Sequence, residues 1–88
     1  MSSDFFASYN IYGDNMKWYE IIRNLREDKD LTQTDVAKIL GVSQRVYSNY
    51  ECGQVEISLD SLMKLADYYG VSMDYILGRS KYKGKRDA

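Results

Sequence analysis

Apolar and polar positions along this chain follow the period of helices, and the helices are announced by their starts. Four times an apolar residue precedes a Ser or Thr, and another apolar residue follows four positions after the hydroxyl. The instances are Leu31-Thr32…Val36, Val42-Ser43…Tyr47, Ile57-Ser58…Leu62 and Val71-Ser72…Ile76. In each, the hydroxyl is placed to accept from an orphan N–H of the first turn, and the apolar pair staples the entry of the helix. Asp35 lies three residues past Thr32, where it completes a short capping box. Asp60 and Asp74 sit in first turns, where the helix dipole favours negative charge.

The stops match the starts. Gly41, Gly53, Gly70 and Gly78 each follow a candidate helix, where a left-handed residue closes the last turn. The spacing therefore predicts helices over 33–40, 44–52, 59–69 and 73–77. A further helix is expected over 16–28, where Trp18, Ile21, Ile22 and Leu25 share one face, and it ends near Asp30 without a Gly. No segment alternates with period two over a strand length. The predicted fold class is all-α: five short helices with brief connections. The expected core is Ile21, Ile22, Leu25, Leu31, Val36, Ala37, Leu40, Val42, Tyr47, Tyr50, Leu62, Leu65, Ala66, Tyr69, Ile76 and Leu77.

Composition narrows the chemistry. The chain has 88 residues, one domain's worth, with no His, no Pro and a single cysteine, Cys52. A lone Cys forms no internal disulfide, so a reducing compartment, the cytoplasm, is the simpler expectation. Without His, zinc sites and Ser/His/Asp or Cys/His nucleophilic machinery are not expected, and no cofactor or metal is called for. The acids and tyrosines offer no convergent acid/base constellation, so an enzyme is not expected. No apolar run approaches the roughly 20 residues of a membrane span, and no secretion signal is read at the start. Cys52 reads as a small, buried or half-buried residue, since no cluster of cations lowers its pKa.

Charge is uneven. Arg79, Lys81, Lys83, Lys85 and Arg86 stand against Asp87, a net +4 over the last ten residues, which leaves −5 on residues 1–78 of a chain whose total is −1. A basic tail on an acidic body can serve as an arm for a polyanion. The chain thus divides into an extension over 1–15, a helical domain over 16–78 and a tail over 79–88. In the extension Phe5, Tyr9 and Tyr12 are spaced for one short helix, with an untidy tail as the alternative.

The central pair of helices carries the functional pattern. Gly41 permits a sharp reversal, Val42 plugs the corner and Ser43 starts the second helix, which is the spacing of a helix-turn-helix unit. On that second helix Tyr47 and Tyr50 share one face, and Gln44, Arg45, Ser48 and Asn49 occupy the opposite one. Amides pair bidentately with adenine N6/N7 and a guanidinium with guanine O6/N7, each worth about 1–3 kcal/mol of discrimination. A merely solvated face is more often rich in Glu and Lys. The helix starts at Gln33 and Gln44 direct N–H groups toward phosphates, and Gln33 can add its side-chain amide.

From Trp18 to Gly78 the chain resembles the Cro/cI-type helix-turn-helix (XRE) family of transcriptional regulators. The matching stretches are Ile21-Ile22-Arg23-Asn24-Leu25-Arg26, Leu31-Thr32-Gln33-Thr34-Asp35-Val36-Ala37, Leu40-Gly41-Val42-Ser43-Gln44, Tyr50-Glu51-Cys52-Gly53 and Leu62…Leu65-Ala66…Tyr69-Gly70-Val71-Ser72…Tyr75-Ile76-Leu77-Gly78. The resemblance implies a five-helix, lambda-repressor-like domain that binds double-stranded DNA, as a repressor and homodimer on a two-fold symmetric operator. It implies Gln44, Arg45 and Asn49 as base-reading residues, and Gln33, Ser43 and Ser48 at phosphates. It also implies a structural ion pair between Arg26 and Glu51 that links the first and third helices.

Departures from the family pattern accompany the match. The family often has Asn before the Gly at 53 and a basic residue after it; here stand Cys52 and then Gln54-Val55-Glu56. Gln54 is expected to make the phosphate contact in place of a cation, and Glu56 opposes the backbone charge. Tyr47 is bulkier than the usual aliphatic residue, and its hydroxyl is expected to reach past the core to a phosphate. The competing function is an adaptor or antitoxin-like interaction module on the same scaffold, with weak DNA binding.

Overall fold

A computed structural model describes residues 16–79. The expected helix over Phe5, Tyr9 and Tyr12 and the basic tail beyond Arg79 lie outside the described residues. Within them the helices are α1 (Trp18–Asp28), α2 (Gln33–Leu40), α3 (Gln44–Glu51), α4 (Leu59–Tyr69) and α5 (Met73–Ile76). None is long and apolar enough to cross a membrane.

All four hydroxyl caps form as the sequence pattern predicts. Ser43 Oγ accepts from Val46 N at 3.1 Å, Ser58 Oγ from Ser61 N at 3.1 Å and Ser72 Oγ from Tyr75 N at 2.9 Å. At α2 the box closes both ways: Asp35 N donates to Thr32 Oγ1 at 3.0 Å, and Thr32 N donates to Asp35 Oδ2 at 2.9 Å. Hydrogen bonding to the carboxyl by Thr32, its backbone N–H first and its side chain second, holds Asp35 below its ordinary value. α1 starts differently, with Lys17 N donating to the Glu20 side chain at 3.0 Å.

The helix ends share one geometry. A left-handed residue, the cap itself at α2 and α4 and the one after it elsewhere, bonds through its N–H three residues back, and the next N–H bonds five back. At α3 these bonds are Gly53 N to Tyr50 O at 3.0 Å and Gln54 N to Asn49 O at 3.1 Å. At α1 the left-handed position belongs to Asp30, with φ of 58°, the conformation the sequence requires of it at a modest steric cost.

α2 packs chiefly on α3, α3 also on α1, α4 on α2, and α5 on α1 and α4. Between them Ile22, Val36, Tyr47, Leu65 and Ile76 are completely enclosed. Leu31, Val42 and Tyr69, expected inside, are half-buried against this core. Leu77 departs further: it follows the last turn of α5 and is 41% exposed. Val71, in the tight link between α4 and α5, is buried instead, and its N–H bonds back to the Ala66 carbonyl at 3.0 Å.

Gly41 and Gly53 give a controlled comparison. Both have positive φ, 76° and 73°. A Cβ at Gly41 meets nothing within 4 Å, whereas one at Gly53 stands 2.6 Å from the Tyr19 ring. Gly41→Ala should therefore cost about 1–2 kcal/mol of left-handed strain. Gly53→Ala should cost measurably more in urea titration, with the excess removed in a Tyr19→Ala background. Equal losses for the two glycines would show that the Tyr19 ring moves aside freely.

Candidate nucleic-acid interface

α3 is short, and its direction is set by what lies beneath it. Tyr47 and Tyr50, three apart on its inner face, meet edge to face with centroids 6.3 Å apart. On the outer side Gln44 and Arg45 are exposed, and Ser48 and Asn49 are half-buried at its flank. Ser43 is exposed; its oxygen serves the cap, and its O–H remains a donor. Gln54 is exposed just past Gly53. The three residues expected to read bases thus share the outward side with Ser43, Ser48 and Gln54.

Beneath that face sits a buried carboxylate. Glu51 is 5% exposed and closes α3 at its inner edge. Arg26 of α1 grips it with both arms of the fork: Nε donates to Oε2 at 2.7 Å and Nη2 to Oε1 at 3.1 Å. The remaining arm, Nη1, donates to the Leu31 carbonyl at 2.9 Å, tying α1 to the turn before α2. The expected Arg26–Glu51 pair is present and bidentate. Tyr47 donates its hydroxyl to Glu51 Oε2, and Gln33 donates Nε2 to Oε1 at 3.1 Å.

The expected phosphate contact by Tyr47 is corrected by this geometry. Tyr47 has no exposed surface, and its hydroxyl points into the protein at Glu51. The two residues are i and i+4 on one helix, so they lie one above the other on its inner face. That spacing was available in the sequence as a signal. Cys52 is also corrected: it is exposed at the end of α3, where the last turn leaves the core.

A bond that no spacing in the sequence predicts joins the two helix starts. Gln44 Nε2 donates to Gln33 Oε1 at 2.8 Å. Gln33 and Gln44 each occupy the first position of their helices. Only the angle between α2 and α3 brings their amides together. The second N–H of Gln33 takes part in neither bond.

Ionisation follows from this packing. Burial pushes the Glu51 carboxyl up, but donors from Arg26, Tyr47 and Gln33 together hold it below its ordinary 4.5. The Arg26 guanidinium is raised, first by its hydrogen bond to Glu51. Burial and then Glu51 raise the Tyr47 phenol, and burial pushes Tyr69 up to about 12.

The network makes two outcomes measurable. Arg26→Met leaves Glu51 a buried charge without its bidentate partner, and should cost about 3–5 kcal/mol in urea titration. The second concerns pH. The unfolded carboxyl takes its proton at higher pH than the folded one, so the stability Glu51 confers is complete above about pH 4.5 and is lost as pH falls toward the folded value. The tyrosines act oppositely: their unfolded phenols ionise near pH 10 while the folded ones stay neutral, so stability falls as pH rises past that point. Urea midpoints across pH should form a plateau with two falling limbs, and Glu51→Gln should flatten the acid one.

Comparison with known proteins agrees with this architecture. A family model described as helix-turn-helix matches residues 22–76. The transcriptional repressor RstR of cryptic phage CTXphi from Vibrio cholerae is 38% identical over 60 residues, 68% of this chain and 54% of that protein. The transcriptional regulator AnsR of Bacillus subtilis is 36% identical over 62 residues, 70% of this chain and 53% of that one. The chain thus spans about half the length of the curated relatives it matches. Among solved structures, the P22 c2 repressor in complex with a synthetic operator superposes with a TM-score of 0.69 at 27% identity, over 75% of this chain and all of that one. The match over 22–76, the five helices and the α2–α3 corner together place the chain in the Cro/cI-type helix-turn-helix family.

Proposed function

We propose that this chain is a sequence-specific, DNA-binding transcriptional repressor that acts inside the cell as a homodimer, with α3 in the major groove. The observation that carries the reading is the outer side of α3: Gln44 and Arg45 stand exposed on a helix whose inner side is clamped by Tyr47, Tyr50 and Glu51. A rigid rod with exposed amide and guanidinium groups suits base edges. RstR is named a repressor, and the P22 c2 repressor is seen with operator DNA, which supports the same use here.

Gln44, Arg45 and Asn49 are assigned to base edges. Gln33, through its spare N–H, and Ser43, Ser48 and Gln54 are assigned to phosphates; Tyr47 is withdrawn from that set. Residues 16–78 form the binding unit in this scheme, with 1–15 and 79–88 as appendages. Two copies would set their α3 helices about 34 Å apart in successive grooves of a symmetric operator. Met73 and Leu77, i and i+4 at the α5 end and 36% and 41% exposed, are the surface we assign to the second copy.

Selection of bound duplexes from a random pool tests this directly, and a palindromic motif is the expected result. Arg45→Ala should then relax preference at one base pair per half-site, by about 1–3 kcal/mol. A pool that yields no motif, with no shifted band on any DNA even at low salt, would end the proposal. The acidic body predicts a shallow salt dependence, since each phosphate neutralised by a cation contributes roughly 0.9 to the slope of log K against log salt.

A further inference from the structure

The surface assigned to the second copy is too small to hold it alone. α5 is a single turn, Met73–Ile76, and the open apolar side chains at this end are Met73 and Leu77, each less than half exposed. A stable interface covers about 800 Å² on each partner, more than half of it apolar. Leu59 and Met63, exposed on α4, add two aliphatic side chains and leave the sum short. The chain carries a larger apolar row in Phe5, Tyr9 and Tyr12, spaced i, i+4, i+7. A buried aromatic side chain removes about 150–250 Å² from water, so three supply about 450–750 Å², the missing scale.

The chain that follows this row begins beside α5. Met16 is half-buried against the core, and Asn24 of α1 donates Nδ2 to its sulfur at 3.8 Å. Asn24 and Asp28 are i and i+4, on one face of α1. α1 packs on α5, and Asp28 is the carboxylate that, after burial, raises the Tyr75 phenol of α5. The side of α1 that receives Met16 is thus the side turned toward α5. Residues 13–15 span at most about 10 Å, so the row is tethered near α5 of its own copy. In a two-fold pair that meets through α5, both rows are tethered at the junction, within reach of the other copy.

We propose that Phe5, Tyr9 and Tyr12 of each copy pack on Met73 and Leu77 of the other, so that two reciprocal contacts hold the dimer. The inference rests on the reading of the chain as a homodimer that meets through α5. A row laid on Met73 and Leu77 of its own copy would close the surface that the second copy needs. Across the two-fold axis the same contact is made twice, and each copy gives both a row and a face. Residues 1–15 are then the element of assembly, and the outer side of α3 stays open to a duplex.

The test uses the full chain in sedimentation equilibrium, where a dimer is expected. The row variant, Phe5→Ser with Tyr9→Ser and Tyr12→Ser, should raise the dimer dissociation constant about 30-fold or more, the loss of at least one interface hot spot. The face variant, Met73→Ser with Leu77→Ser, should do the same. A cooperative urea transition shows whether it folds, and if it does not, Leu77→Ser alone takes its place. The two variants are then mixed. One keeps a face and the other a row, so one of the two contacts returns. Native mass spectrometry should find the mixed dimer at concentrations where each variant alone is monomeric. A row variant as dimeric as the native chain overturns the inference and leaves the homodimer standing. A mixture that stays monomeric overturns it too, since a row folded on its own copy gives that result. A native chain that is monomeric in solution overturns it as well; if it also binds its selected duplex as a single copy, the homodimer reading falls separately.

Discussion

A carboxylate inside a helical core is costly to desolvate, and this fold tolerates one by surrounding it with donors. Glu51 receives two bonds from Arg26, one from Tyr47 and one from Gln33, drawn from α1, α3 itself and α2. Each donor comes from an element whose position matters for the outer side of α3. The angle of α1 against α3, the depth of Tyr47 and the approach of α2 are therefore expressed in one set of hydrogen bonds. Buried ion pairs of this kind contribute less to net stability than to the definition of a single arrangement, because a hydrophobic replacement could fill the same volume. Here the arrangement defined is the orientation of the helix that carries Gln44, Arg45 and Asn49.

Hydrophobic contact supplies the cohesion around that centre. Ile22, Val36, Leu65 and Ile76 are enclosed from four different helices, so the small core draws on nearly the whole described chain. The helices are too short to persist alone in water; their formation depends on this packing and on their caps. Lys64 of α4 adds a bond to the Leu40 carbonyl at the end of α2, at 3.3 Å, which ties α4 to the start of the corner.

Features governed by nearest neighbours were legible in the sequence. Thr32, Ser43, Ser58 and Ser72 cap where their spacing places them, and the left-handed ends fall at Asp30, Gly41, Gly53 and Gly70, because both motifs close within six residues. The Arg26–Glu51 pair was legible only through family resemblance, since 25 residues separate its members. What failed depended on depth and direction. Helical periodicity assigns Tyr47 to the inner face but does not say what its hydroxyl meets there, and a phenol is long enough to face either way until Glu51 is located. Leu77 and Val71 depart from expectation because both lie at or between helix ends, where period no longer predicts burial. The bond between the Gln33 and Gln44 amides required an interhelical angle, which no spacing in the chain encodes.

The exposed thiol at the end of α3 has a practical meaning. Cys52 is the single cysteine among the 88 residues and is open to solvent beside the outward helix. A maleimide dye or nitroxide will therefore attach to these 88 residues at one defined place without any substitution. That label would sit one residue beyond the last turn of α3, close enough to sense a bound duplex through quenching or altered mobility, and two labelled copies would report their separation by paramagnetic or resonance-energy ranging.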